Sequence, residues 1–328
     1  MSVIESAGPR GAGRASTQPE TGEAARKSSL VRGLVILMRP RHAIKTILLV
    51  PVVLIDPRNW TLTTLGRVSY AGVIFLLTAA CVYVGNDIAD RHRDLHHPAK
   101  RQRPIASGQV PLAAGYLWCA VLAATVGVAI GAVRDTAQYW PVLVYLALNV
   151  AYSRGLKHVP LLDVYVVASG FVLRVVQGYL AAGDQFPGWL LVAVFAASLA
   201  LLVGKRRREL LESGTAHRPA LRGYSVEVAD RFIQIAFVLA VVAGLIYLST
   251  EAPLGNYAQT AMLVSVPFVL FVLFRYLKIL LVDGRGSDPV RELLSDHALV
   301  ATSVAWAAVF GATLLFAHHS MLAHPVLP

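Results

Sequence analysis

The sequence predicts an all-α, polytopic membrane protein of nine transmembrane helices, and three observations lead there. Of 328 residues, 56% are apolar and only 15% charged, with a mean hydropathy of +0.58. An average soluble domain runs about 45–50% apolar and about 25% charged. Nine apolar segments approach the roughly 20 residues that cross about 30 Å of hydrocarbon. The 30 Lys and Arg residues crowd the connections on one side of those segments. An ordinary soluble enzyme, a disordered chain and a charge-rich repeat scaffold are thereby excluded.

The first segment, near 34–55, is the weakest, interrupted by Pro40, Arg41, Lys45, Pro51 and Asp56. The second, near 69–86, is a continuous apolar run that ends in a polar string. The third and fourth, near 111–132 and 138–153, flank a short polar stretch at Arg134. The fifth, near 160–182, carries Asp163 and Arg174, and the sixth, near 187–204, stops at four consecutive cations. The seventh, eighth and ninth, near 231–250, 257–282 and 297–318, are again continuous. Such runs are unlike the short alternating stretches of membrane strands, and no internal repeat is evident. Residues 1–30, rich in Gly, Ala, Ser, Thr and Arg, lack the apolar centre of a signal peptide. They are expected to form a disordered cytoplasmic tail, with 31–328 as one membrane domain. Cys81 and Cys119 each lie within an apolar run and read as small core residues, not as a disulfide or metal pair.

With the N-terminus inside, only Arg58, Arg67 and Arg134 fall outside, and Arg174 falls within a span. This positive-inside asymmetry places the N-terminus in the cytoplasm and the C-terminus outside, across the plasma (inner) membrane. The net charge of +11 points to anionic partners, phosphates or lipid headgroups.

The second segment ends in Asn86-Asp87-Ile88-Ala89-Asp90-Arg91-His92-Arg93-Asp94. If the helix continues past the membrane rim, Asp87, Asp90 and Asp94 stand at i, i+3 and i+7 on one face. Stacked carboxylates destabilise a helix unless something cationic neutralises them. Oxygen-only donors at this spacing suit Mg²⁺ bridged to a phosphorylated substrate. Spacing alone supports equally a solvated helix end with Arg91 and Arg93 as neighbours. The continuation, Lys100-Arg101-Gln102-Arg103-Pro104-Ile105-Ala106-Ser107-Gly108, favours the first reading, because a basic loop beside the carboxylates can hold a metal–pyrophosphate assembly from both sides. His92, His96 and His97 match no strong metal-ligand spacing.

Asn-Asp-x-x-Asp-x-x-x-Asp (86–94) followed by Lys-Arg-x-Arg-Pro-Ile-Ala-Ser-Gly (100–108) resembles the UbiA-type intramembrane prenyltransferase superfamily. The resemblance covers almost everything after residue 30. It implies a nine-helix bundle with a cytoplasmic polar cavity and Mg²⁺ held by Asp87, Asp90 and Asp94, with Asn86 beside them as catalytic residues. Most members carry a second Asp-x-x-x-Asp motif after the sixth span. This chain has Gly204-Lys205-Arg206-Arg207-Arg208-Glu209-Leu210-Leu211-Glu212 there, which suits a phosphate clamp better than a second Mg²⁺ site. A plain positive-inside anchor explains three or four of those cations as well.

Three further stretches resemble the branch that uses phosphoribosyl pyrophosphate as donor. They are Arg39-Pro40-Arg41-His42-x-x-Lys45; Tyr152-Ser153-Arg154-Gly155-Leu156-Lys157-His158 with Asp163 and Arg174; and Arg275 to Asp296. The resemblance then implies Mg²⁺-dependent transfer of 5-phosphoribose to a polyprenyl (decaprenyl-like) phosphate. Its substrate-binding residues would be Lys45, Lys100, Arg103, Tyr152, Lys157, Asp163, Arg174, Lys205, Arg206 and Glu209. The partners implied are that lipid phosphate and the water-soluble donor, with no nucleic acid and with a homo-oligomer left open. The alternative is prenyl transfer from a prenyl diphosphate to an aromatic acceptor, and the missing second aspartate motif argues against it. A carrier without chemistry is disfavoured, since unmetallated carboxylates repel an anionic cargo.

Independently of any resemblance, Asp163, Gly170 and Arg174 fall at i, i+7 and i+11 on the fifth helix, a stripe about 16 Å long. Either ion alone in lipid costs roughly 2.5–3.5 kcal/mol, so both are expected to face the bundle interior. Gly170, Gly178 and Gly183 are expected as close-packing positions.

Overall fold

The computed structural model describes residues 20–40, 44–96, 100–214, 219–283, 292 and 294–323, and every regular element among them is helical. The main helices are α1 (Glu20–Leu37), α2 (Ile44–Leu49), α3 (Leu62–Leu95), α4 (Leu112–Gly131) and α5 (Trp140–Arg154). They are followed by α6 (Leu162–Ala182), α7 (Gly188–Ser213), α8 (Val226–Thr250), α9 (Ala258–Leu277) and α10 (His297–Ala323). Of the expected tail, residues 1–19 lie outside the described residues, and from Glu20 onward the backbone is helical.

Seven helices among the described residues are long and apolar enough to cross a membrane: α3, α4, α6, α7, α8, α9 continued to Val282, and α10. Apolar side chains such as Leu117, Val128, Ile235, Phe274 and Phe316 point outward and stay exposed, as lipid-facing positions must. The chain is a multi-pass membrane protein.

Two of the nine expected spans are built differently. Around 34–55 the chain forms the end of α1, the 6-residue α2 and a 3-10 stretch, Val50–Ile55. Pro51 sits in the first turn of the 3-10 stretch, where its missing backbone donor costs nothing. The segment near 138–153 becomes α5, 15 residues long, which reaches only about 22 Å at 1.5 Å per residue. Gly155 ends it, donating its N–H to the Ala151 carbonyl at 3.1 Å.

The α3 helix does the opposite and overshoots its apolar run. It is 34 residues long, capped at its start by the Thr61 hydroxyl, and runs on to Leu95, with His92 and Arg93 in its last turn complementing the helix dipole. The carboxylate triad therefore stands on regular helix.

Two apolar cores flank the site. One joins Val50 and Val53 to Phe75 of α3, Tyr145 of α5 and Tyr179 of α6. The other joins Val164 and Ala168 of α6 to Val203 of α7, Ile233 of α8, Tyr276 of α9 and Leu280 just beyond it. A Cβ on Gly178 would lie 1.8 Å from the Val50 carbonyl oxygen. That glycine lets the 3-10 stretch press directly on α6, while Gly183 ends α6 in the left-handed region with φ +81°. Cys81 and Cys119 meet across α3 and α4 as free thiols, with their Sγ atoms 3.6 Å apart.

Candidate active site

The site is assembled at the end of α3 from four stretches of chain. Asp87 and Asp94 are each 3% exposed. The Arg103 guanidinium donates from one nitrogen, Nη1, to Asp87 Oδ1 at 3.1 Å and to Asp94 Oδ2 at 2.7 Å. Arg39, just after α1, also donates to Asp87 Oδ1 and lies 5.2 Å over the Tyr83 ring. Asp90 takes a different partner: Lys157 Nζ, from the turn between α5 and α6, donates to its Oδ1 at 2.6 Å. Asn86 accepts a hydrogen bond from the Ser153 hydroxyl of α5. The like charges predicted to need a cation thus receive three, from the start of the chain, the 100–108 loop and the α5–α6 turn.

A second ionic cluster sits beside the first. Asp163, in the first turn of α6, is fully buried. Arg206 of α7, 4% exposed, donates from Nε to Asp163 Oδ2 at 2.7 Å and from Nη1 to Glu209 at 2.8 and 2.9 Å. The Tyr224 hydroxyl donates to the other Asp163 oxygen at 2.9 Å. Burial and the facing carboxylate push the Tyr224 phenol well above the ordinary tyrosine range. Tyr152 lies within electrostatic reach of Arg206. Arg207 pairs with Asp230 of α8, and Arg208 with Glu212 one turn along α7 at 2.6 Å.

Arg174 is inward, as expected, but does not meet Asp163. Its guanidinium is enclosed by Phe75 and Tyr145 at 5.0 and 4.8 Å. It donates to the Thr46 hydroxyl at 3.1 Å, the Tyr145 hydroxyl at 3.1 Å and the Gly170 carbonyl. Among the described residues it has no carboxylate partner. It ties α2, α3, α5 and α6 together below the carboxylates.

Lys100 and Lys205 are exposed at the same end of the bundle. Lys45 lies in α2, but its side chain is outside the described residues, as are Arg41, His42 and His97. Sequence reasoning missed Arg39, Ser153 and Tyr224. Arg39 and Ser153 stood inside stretches already singled out, whereas Tyr224 carried no local signal.

Among the described residues, no three His, Cys, Asp or Glu side chains are gathered tightly enough to cage a metal. The donor chemistry still fits Mg²⁺. Asp87 and Asp94 already converge on one cationic nitrogen, and all donors are hard oxygens. Mg²⁺ is commonly bound by one or two carboxylates completed by substrate phosphates and water. His96 Nδ1, by contrast, is taken up by the His92 carbonyl at 2.8 Å.

Buried carboxylates and cations thus meet at one end of a helical, membrane-spanning bundle. The sequence signature of the UbiA prenyltransferase family matches residues 44–295, and the chain belongs to that family. It is an enzyme, a transferase. The decaprenyl-phosphate phosphoribosyltransferase of Mycobacterium tuberculosis is 33% identical over 306 residues, covering 88% of this chain and 96% of the relative. The enzyme of that name from Corynebacterium glutamicum is 33% identical over 292 residues, 85% of each chain. A UbiA homolog from Archaeoglobus fulgidus, solved bound to GPP and Mg²⁺, shares the fold. Its TM-score is 0.61 at 17% identity, covering 87% of this chain and 99% of that one.

Proposed function

We propose that the enzyme transfers 5-phosphoribose from phosphoribosyl pyrophosphate to a polyprenyl, decaprenyl-like phosphate and releases pyrophosphate. The observation that carries this reading is the 33% identity, over 88% of the chain, to enzymes named for that chemistry. The stretch after the sixth expected span supports it, because cations stand where relatives ionising a prenyl diphosphate carry a second aspartate motif.

As the anomeric C–O bond breaks, C1 becomes oxocarbenium-like and the departing pyrophosphate gathers negative charge. Mg²⁺, when bound by Asp87, Asp94 and Asp90, supplies Lewis-acid stabilisation of that charge. Arg39, Arg103 and Lys157 neutralise and align the carboxylates, and would exchange them for phosphate oxygens when the donor arrives. Lys100 extends the same cationic rim, and Lys205 offers a second contact for the 5-phosphate, with Arg206, Glu209, Asp163 and Tyr152 shaping the wall behind it. Arg174 braces the helices beneath the carboxylates through Thr46, Tyr145 and Gly170. The acceptor is a phosphate monoester already ionised near neutral pH, so no general base is required. Preorganised charge at these positions does most of the catalysis.

The Lys/Arg asymmetry supports a cytoplasmic site, and α5 with the broken 34–55 segment supplies the remaining two of nine membrane segments. Purified enzyme in detergent should release pyrophosphate only when phosphoribosyl pyrophosphate, polyprenyl phosphate and Mg²⁺ are all present. Turnover of prenyl diphosphate with an aromatic acid instead would move the chain to the other branch.

A further inference from the structure

The turn that presents Lys157 to Asp90 is short and contains an unfavourable backbone. Leu161, at its end, has φ +65° and ψ −48°, in the left-handed half that branched residues rarely adopt. Something outside the turn has to hold it. The candidate is the connection between α7 and α8, residues 219–224, which reaches the turn across the bundle end.

Three contacts make the connection. The Tyr224 hydroxyl accepts a hydrogen bond from the Leu161 N–H at 3.1 Å and donates its own proton to Asp163 Oδ1. Gly223 packs against Pro160 so closely that a Cβ there would lie 2.5 Å from the proline Cβ and Cγ. Ala220 and Leu221 are fully buried beneath them. Asp163 is itself fixed by Arg206, so the turn is pinned to α6 and α7 together. On its far side the same turn carries Lys157, bound to Asp90, and His158, 3.3 Å from Arg93.

We propose that Tyr224 is a positioning residue for Lys157, acting through the Leu161 backbone, and that the Gly223–Pro160 contact sets its distance. This rests on the reading of Lys157 as a diphosphate-binding cation. His158 also ties the turn to Arg93, but it is the Tyr224 hydroxyl that bonds the Leu161 N–H, at the strained end of the turn. A free turn would let the flexible lysine swing out into water.

Tyr224→Phe keeps the ring and removes both hydrogen bonds, and Gly223→Ala pushes on Pro160 from the same side. Hydrogen exchange in either variant should speed up at the Leu161 amide. Acylation of Lys157, read by peptide mass spectrometry, should be about fivefold faster or more, the effect expected for losing one or two net hydrogen bonds. The Mg²⁺–pyrophosphate affinity of Tyr224→Phe should fall by a similar factor, and should fall no further when Tyr224→Phe is added to Lys157→Gln. Unchanged Lys157 acylation in both variants, or fully additive losses in the double variant, would overturn the proposal. Acylation and exchange need no turnover. A wild type that fails to use phosphoribosyl pyrophosphate while its Lys157 still responds to Tyr224→Phe would sink the functional reading and leave this one standing.

Discussion

Asp87 and Asp94, two turns apart on α3, share a single nitrogen of Arg103, at 3.1 and 2.7 Å. The 100–108 loop is thereby closed onto the helix end it follows, and two buried carboxylates are held side by side. Under the proposed function a divalent cation would take the place of that shared positive centre. With a divalent cation in that place, Arg103 would be free to contact a substrate phosphate oxygen.

Replacing Asp87 or Asp90 by Asn keeps side-chain shape and removes the charge. Either change should cut turnover by at least about 100-fold, the scale of losing one electrostatic contact in a preorganised site. Thermal stability in detergent should change little for Asp90→Asn, whose partner Lys157 can reach water. Near-normal rates at saturating Mg²⁺ in both variants would remove the carboxylates from the mechanism.

Arg206 and Lys205 are neighbours in sequence with opposite fates. Arg206→Ala leaves fully buried Asp163 with only Tyr224 for company, and breaking a buried ion pair costs about 3–5 kcal/mol. A large drop in melting temperature is expected, with loss of membrane-extracted yield. Lys205→Ala, at an exposed position, should leave the melting temperature unchanged and raise the donor KM. Equal stability of the two variants would contradict the burial argument.

Gly178→Ala should destabilise the protein by about 1–3 kcal/mol, the usual cost of overpacking. The added Cβ meets the Val50 backbone carbonyl at 1.8 Å, and a backbone cannot swing aside as a side chain can. Gly85→Ala, with nothing within 4 Å of its Cβ, is the control and should be neutral or slightly stabilising. Comparable melting temperatures for both would show that the 3-10 stretch does not press on α6.

Asp296 caps α10 by accepting from the Leu299 N–H at 3.0 Å and pairs with Arg275 at 2.9 Å. The Arg275 hydrogen bonds, with those from the helix backbone, hold its carboxyl below the usual carboxylate range. Its folded value is the depressed one. The stabilisation is therefore fully present above the ordinary aspartate value of about 3.9 and is lost as pH falls through the lower, folded value. Hydrogen exchange at the start of α10 should be flat in protection from neutral pH down to about 5. Protection lost between pH 7 and 5 would contradict this cap.

The carboxylate face was legible in the sequence because its pattern is local: i, i+3 and i+7 on a helix is a fact about one stretch of chain. The identity of its counter-charges was not. Arg39 and Lys157 reach Asp87 and Asp90 from 48 and 67 residues away, and nothing near them in sequence names the partner. The string 205–208 was readable as four cations, yet what Arg206 and Arg207 face is decided by α6 and α8. The stripe of Asp163 and Arg174 was correctly turned inward by the cost of charge in lipid. Hydropathy could not reveal that one meets an arginine and the other a cage of aromatic rings. The same limit governs the spans: apolar content marked 34–55 and 138–153, while the change to a 3-10 stretch at Val50 and the cap at Gly155 set how far each runs as α-helix.

The central claim is that a phosphoribosyl group is moved onto a lipid phosphate. Purified enzyme should be incubated with Mg²⁺, phosphoribosyl pyrophosphate and polyprenyl phosphate, and the extracted lipid weighed by mass spectrometry. The account predicts a new lipid heavier by one phosphoribosyl unit, formed in equal amount to the pyrophosphate released and absent with Asp87→Asn. Recovery of the lipid at its original mass, with an aromatic acid prenylated from prenyl diphosphate by the same preparation, would contradict it.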